Sequence, residues 1–206
     1  MPGSSQVHWD SVYSQKREQE VSWFQESPEP SLDLIVRAGA TPQSAIIDVG
    51  GGASRLVDVL VSRGFSNLSV LDLSEAALAT ARARLGERAG NVRWIAADVT
   101  TWQADAAYDI WHDRAAFHFL TEPEAQRAYV ERLKLALRHG GHAIIATFAL
   151  DGPEKCSGLP VARHSAKTIG ALLGAEFTQV DTLRHEHTTP WGSVQKFQFS
   201  TFVRKP

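Results

Sequence analysis

The feature that most constrains this chain is a junction. The run Ala45-Ile46-Ile47-Asp48-Val49 passes directly into Gly50-Gly51-Gly52, and an amphipathic helical pattern follows from Ser54 to about Ser62. An apolar strand, a glycine turn and a helix form the first half of a crossover, so the next strand of the same sheet returns parallel to the first. The chain then repeats the alternation. Strand-like runs fall at Leu68–Leu71, ending at Asp72, then at Val92–Ala96, Tyr108–Trp111 and His142–Phe148. Ser74 caps a helix reaching about Leu85, and a helix from Glu122 to about Leu137 is read as stopped by Gly140-Gly141.

The two ends of the chain depart from this rhythm. A short helix, about Ala166 to Leu173, precedes two strand-like runs, Phe177–Leu183 and Val194–Val203. No long helix separates those two runs, so they pair antiparallel at the sheet edge. At the other end, Gln6 to Gln25 is polar with interspersed aromatics, Trp9, Tyr13, Trp23 and Phe24, and reads as a helical arm. Pro28 and Pro30 end it, and Ser31 is read as the cap of a helix through Arg37. The fold class is α/β: a Rossmann-like, doubly wound, seven-stranded sheet, mostly parallel, with a terminal antiparallel strand pair. A chain of 206 residues suits one domain, 1–206, with 1–40 as a helical arm or lid and 41–206 as the core.

Acidic residues stand at successive strand ends. Asp72 lies 22 positions after Gly50 at the end of the second strand, where a carboxylate can accept hydrogen bonds from ribose hydroxyls. Asp98 closes the third, where it can accept from an exocyclic adenine amine. Parallel strands bring these ends to one rim of the sheet, the rim at which open α/β sheets bind ligands. A nicotinamide dinucleotide asks for a third glycine where Arg55 stands, and no P-loop Gly-Lys-Ser/Thr occurs.

Asp48-x-Gly50-x-Gly52 with Ser54, Val70-Leu71-Asp72-Leu73-Ser74, and Ala96-Ala97-Asp98-Val99 together resemble the ordered cofactor motifs of class I S-adenosylmethionine-dependent methyltransferases. The resemblance covers nearly the whole chain. Ser54 stands where that family usually has a third glycine. The resemblance implies that Asp48 orients the glycine loop and the methionine amine, and that Gly50, Gly51, Gly52 and Ser54 admit the methionine moiety. It further implies that Asp72 holds the ribose, that Leu73, Asp98 and Val99 flank the adenine, and that Trp23 closes over the cofactor. S-adenosyl-L-methionine is then the cofactor and S-adenosyl-L-homocysteine the product.

Methyl transfer is an in-line displacement, so the enzyme chiefly aligns nucleophile and methyl. Acceptor-side residues are expected after the fourth strand, in Trp111-His112-Asp113-Arg114-Ala115-Ala116-Phe117-His118-Phe119-Leu120. His112, Asp113, Arg114 and His118 are the candidate catalytic residues, with His118 as general base; the bland alternative makes the aromatics core and Asp113-Arg114 a solvated pair. The Pro-Pro-aromatic motif of adenine- and glutamine-methylating relatives is absent. The turn-rich Asp151–Pro160 segment is read as a lid or an inert loop. Late in the chain, Arg184, His185, His187 and Gln195 can reach the same rim.

Trp9-Asp10-x-x-Tyr13 with Trp23-Phe24 resembles the arms of small thiol and thiopurine methyltransferases and of elongation-factor lysine methyltransferases. The lysine group's Asp-Lys-Gly-Thr is replaced here by His112-Asp113-Arg114-Ala115. The expected activity is methyl transfer to a small molecule. A protein lysine acceptor and a non-catalytic cofactor-binding module are the alternatives.

Composition narrows the partners. A net charge of −2 argues against a nucleic-acid binder and gives no pull toward anionic membranes. Apolar stretches are strand-length, so no membrane span is expected. One cysteine, Cys156, and the absence of a secretory signal fit the cytoplasm. The eight histidines show no metal-ligand spacing, so no metal is expected.

Overall fold

The computed structural model describes residues 2–206. The arm opens with α1 (Pro2–Gln15) and a 3₁₀ turn at Glu18–Glu20, followed by α2 (Ser31–Arg37). The alternating section runs β1 (Ile46–Val49), α3 (Leu56–Ser62), β2 (Leu68–Asp72), α4 (Glu75–Leu85), β3 (Val92–Ala96), β4 (Tyr108–Arg114), α5 (Pro123–Ala136) and β5 (Leu137–Phe148). A two-stranded hairpin, β6 (Lys155–Cys156) and β7 (Leu159–Pro160), precedes α6 (Ala166–Leu173), β8 (Phe177–Thr188) and β9 (Val194–Arg204).

The seven long strands form one sheet in the order β3-β2-β1-β4-β5-β9-β8. The first five are parallel; β9 runs antiparallel to both β5 and β8. The winding reverses between β1 and β4, and the crevice at their C-terminal ends is the point where such sheets bind ligands.

Helices cover both sheet faces, and strand parity assigns each side chain to one of them. Ile46, Ile110, Ile144, Phe197 and Phe199 pack on one face with α2, α3 and α4 residues such as Leu32, Leu56 and Leu78. Ile47, Val49, Trp111, Ile145 and Phe202 pack on the other with Tyr129 and Leu133 of α5 and Ile169 of α6.

Several boundaries differ from the sequence reading. The arm helix stops at Gln15 instead of reaching Gln25; Glu18–Glu20 form a separate 3₁₀ turn, and Val21 after it is in extended conformation and buried, 5% exposed. Ser31 is the first helical residue of α2, not its cap; Pro30 takes the cap position and provides no side-chain hydrogen bond. The strand β4 continues three residues past Trp111, since His112 and Asp113 find partners in both β1 and β5 and Arg114 pairs with Ala146 of β5. Gly140-Gly141 lies within the irregular start of β5, where the pairing jumps from Tyr108↔Leu137 to Ile110↔His142, and does not terminate a helix. Ser74 does cap α4: its Oγ accepts from the Ala77 amide at 3.2 Å. Among the described residues no helix is long and apolar enough to cross a membrane.

Candidate active site

The rim is built around two buried carboxylates and the glycine turn that packs on them. A Cβ on Gly51 would stand 2.5 Å from an Asp48 carboxylate oxygen, and one on Gly52, which has φ +37°, 2.7 Å from an Asp72 oxygen. Only glycine lets this turn lie against both acids. Asp48 and His112 are register partners on β1 and β4, and His112 Nδ1 donates to Asp48 Oδ1 at 2.7 Å. Both side chains are buried, and His112 Nε2 has no partner among the described residues.

Asp72 Oδ1 accepts from the Ser74 amide at 2.8 Å. Burial, reinforced by the nearby Asp48 and Asp10 charges, pushes its carboxyl up to about 7. Asp98 at the end of β3 accepts from the amide and the hydroxyl of Thr100 at 2.8 and 2.7 Å. Ser54 Oγ accepts from the Leu56 amide at 3.2 Å, at the start of α3.

These residues surround two connected hollows. The larger, about 320 Å³, is lined by Asp72, Leu73, Asp98 and Val99, at and after the ends of β2 and β3, and by Arg114, Cys156, Gln195 and Phe197, of which Arg114 belongs to β4 and Gln195 and Phe197 to β9, across the sheet. The smaller, about 50 Å³, is bounded by Asp48, Gly51, Ser54 and His112. Tyr13, Trp23, Gly50 and Arg114 border both. A wider open depression at Phe24, His187 and Pro190 includes none of the strand-end acids.

The arm forms the roof. Trp9 packs edge-on against Trp23 and Phe119, with centroids 5.7 and 4.9 Å apart, and Trp23 Nε1 donates to the Tyr13 hydroxyl at 3.1 Å. Asp10 accepts from Ser74 Oγ at 2.6 Å, tying α1 to the first turn of α4. Glu18 accepts from Arg55 at 2.5 Å and from Arg84 at 2.7 Å. Arg55, which occupies the place of a dinucleotide-binding glycine, is thus half of a clamp on the arm.

The four residues expected on the acceptor side separate onto two faces. His112 and Arg114 lie on the Asp48 face and border the hollows. Asp113 points to the opposite face, where it accepts from the Ala116 amide at 2.9 Å, the Phe117 amide at 3.0 Å and the Tyr129 hydroxyl at 2.8 Å. It holds the turn after β4, and burial pushes it up to about 6 against the opposing pull of those donors. His118 is fully buried against Phe119 and Phe148, with neither ring nitrogen bonded. Burial, helped by the Arg114 charge, drives it down to about 3, so the ring is neutral. The structure does not bring Asp113 or His118 to the cavity wall.

Arg114 has an unusual environment. Its Nη1 donates to the Trp23 carbonyl at 3.0 Å and its Cζ lies 5.0 Å from the centre of the Phe197 ring. Nε and Nη2 are buried without a hydrogen-bond partner, and burial pulls the guanidinium down to about 10. Of the late residues, Gln195 reaches the cavity, His187 Nε2 donates to the Ser22 carbonyl at 2.7 Å, and Arg184 pairs with Asp151 at the surface. Glu18, Arg84 and Phe197 were not singled out from sequence; only Phe197, through its alternation with Phe199, carried a local signal.

Residues 46–141 match a family model described as a methyltransferase domain. Trans-aconitate 2-methyltransferase of Sinorhizobium medicae is 30% identical over 130 residues, 63% of this chain and 46% of that protein. EEF1A lysine methyltransferase 2 of Danio rerio is 27% identical over 68% of this chain and 66% of its own length. The chain spans about half the length of most of the curated relatives it matches. The solved Burkholderia thailandensis 1,6-didemethyltoxoflavin-N1-methyltransferase, with bound 1,6-didemethyltoxoflavin and S-adenosylhomocysteine, superposes with a TM-score of 0.75 at 23% identity, over 100% of this chain and 91% of that one.

Proposed function

We propose that this chain, which is similar over residues 46–141 to a methyltransferase-domain family model, is a class I S-adenosylmethionine-dependent methyltransferase that binds S-adenosyl-L-methionine at the β1–β4 switch point and methylates a small molecule held beneath the arm. The observation that carries the reading is the pair of buried acids, Asp48 and Asp72, cradled by one glycine turn under a roof of Trp9, Tyr13 and Trp23. The residues fit the cofactor. Asp72, buried and raised, is short of donors that a ribose diol supplies. Leu73 and Val99 offer apolar walls for an adenine, and Asp48 lies where an ammonium group would be neutralised. When bound, the cofactor supplies a sulfonium-activated methyl group.

The chain's own groups then have plain tasks. Asp72 fixes the nucleoside, His112 holds the Asp48 carboxylate, and the aromatic roof excludes water, which strengthens every polar contact inside. Alignment carries most of the acceleration in this reading. The size of the cavity and the names of the relatives, a trans-aconitate and a didemethyltoxoflavin methyltransferase, support a small acceptor. The likeness to the EEF1A lysine methyltransferase favours a protein acceptor as the second reading.

The test has two parts. Calorimetry is expected to show binding of S-adenosylhomocysteine and no binding of NAD. A transfer assay with labelled cofactor is expected to place label in small-molecule pools. Binding of NAD without S-adenosylhomocysteine would overturn the reading; label confined to protein in a lysate would move it to the second.

A further inference from the structure

The acceptor end of the larger cavity carries a cation that no carboxylate touches directly; Asp48, on the adjoining hollow, acts on it only from a distance. Arg114 makes no ion pair among the described residues, and its Nε and Nη2 are buried and unbonded. Buried charges normally have a partner, and an orphaned guanidinium fork presents parallel donors matched to a carboxylate. Gln195 lies in the same wall, 8% exposed, with its side-chain oxygen also unbonded. An amide can turn its NH₂ end toward an anion.

Among the described residues around Arg114 in the larger cavity, neither Cys156 nor Tyr13 accepts a proton near neutral pH, and His112, with its free Nε2, lines the adjoining smaller hollow. Cys156 is pushed up to about 11 by burial and stays a thiol, and burial raises the Tyr13 phenol as well. His118 lies behind the wall. This end suits an acceptor that is already nucleophilic without giving up a proton.

We propose that the acceptor is a small carboxylate, held by the Arg114 fork with help from Gln195 and methylated on a carboxylate oxygen. The inference rests on the methyltransferase reading and adds its substrate class. The oxygen forms a bond to the methyl carbon as the carbon–sulfur bond breaks, and that bond's electron pair stays on sulfur. The products are a methyl ester and a neutral thioether, and no proton leaves.

The experiment measures binding of acetate, succinate, tricarballylate and benzoate, each beside its uncharged amide, to protein saturated with S-adenosylhomocysteine. At least one carboxylate is expected to bind more tightly than its amide. Arg114→Gln is expected to abolish that preference, with a loss of at least about 30-fold, as for one partner of a buried charge pair. Its affinity for S-adenosylhomocysteine is expected to stay within about threefold of the parent. Gln195→Leu, which leaves the cation in place, is expected to weaken the carboxylate less. With labelled cofactor, the preferred acid is expected to give a base-labile methyl ester.

No preference for any acid, or one that survives in folded Arg114→Gln, overturns the proposal. So does an Arg114→Gln variant that loses S-adenosylhomocysteine but keeps 5′-methylthioadenosine, because Arg114 would then serve the cofactor's own carboxylate. Failure of the parent protein to bind S-adenosylhomocysteine at all would instead sink the methyltransferase reading.

Discussion

His112 Nδ1 stands 2.7 Å from Asp48 Oδ1, across the junction where the sheet reverses direction. The two are paired residues of adjacent parallel strands, so the pleat puts both side chains on one face. The hydrogen bond leaves Asp48 little freedom, and the acid in turn sets the imidazole tautomer. In the proposed reading His112 acts through Asp48.

A consequence is that His112→Ala weakens cofactor binding as well as turnover. A hydrogen bond to a charged group contributes about 1.5–3 kcal/mol, so S-adenosylhomocysteine is expected to bind roughly ten- to a hundredfold more weakly. His112→Asn, which can place an amide donor near Nδ1, is expected to recover part of the loss. Unchanged affinity in folded His112→Ala would remove the residue from the cofactor's support.

With Asp72 as the ribose acceptor, cofactor binding is expected to depend on pH. The Asp72 carboxyl, raised to about 7 by burial, is protonated below that value in the free protein, whereas ribose hydroxyls donate to the anion. Affinity for S-adenosylhomocysteine is expected to fall by about tenfold per pH unit below pH 7 and to be flat above it, with proton release seen as buffer-dependent binding heat. A carboxyl that is raised in the folded chain binds its proton more tightly there than in the unfolded chain. The ligand-free protein is thus expected to lose stability as pH rises from about 4 to about 7. Asp72→Asn is expected to abolish both dependences, and Asp72→Ala to bind at least about tenfold more weakly. A pH-independent affinity in the parent would refute the ribose assignment.

The arm is tied to the core by a few local contacts, and in the proposed reading it closes over the cofactor. Asp10 holds Ser74, Glu18 holds Arg55 and Arg84, and Trp9 sits between Trp23 and Phe119. Hydrogen exchange over residues 9–24 is expected to slow on adding S-adenosylhomocysteine. Asp10→Ala is expected to speed its dissociation by about tenfold or more. Equal exchange with and without ligand would make the arm plain scaffold.

His118 offers the sharpest contrast between positions in sequence and in space. A general base loses roughly 10²–10⁴-fold in rate when removed. A neutral ring buried against Phe119 and Phe148, off the cavity wall, has no such role to lose. His118→Leu is expected to keep turnover within about threefold and to keep the parent's pH profile. It is also expected to melt no lower, since it removes two buried, unbonded nitrogens. A loss in the general-base range would restore His118 to the chemistry.

Sequence alone determined the order of strands and helices and the residues at the ends of β1, β2 and β3, because these follow from local properties. A glycine turn after an apolar strand, acids at strand ends and period-two or period-3.6 patterns need no knowledge of distant partners. Asp48, Asp72 and Asp98 were legible for that reason, as was the capping role of Ser74. Only the tertiary structure decided which way His112, Asp113 and Arg114 face. Their parity depends on β4 extending to Arg114, and that extension exists because β1 and β5 pair with it on both sides. One continued strand sends His112 and Arg114 to the cavity and Asp113 to Tyr129. The clamp of Glu18 on Arg55 and Arg84, and the unpaired Arg114 held at the Trp23 carbonyl and facing Phe197, join segments between 37 and 91 positions apart, and no local pattern records such a meeting.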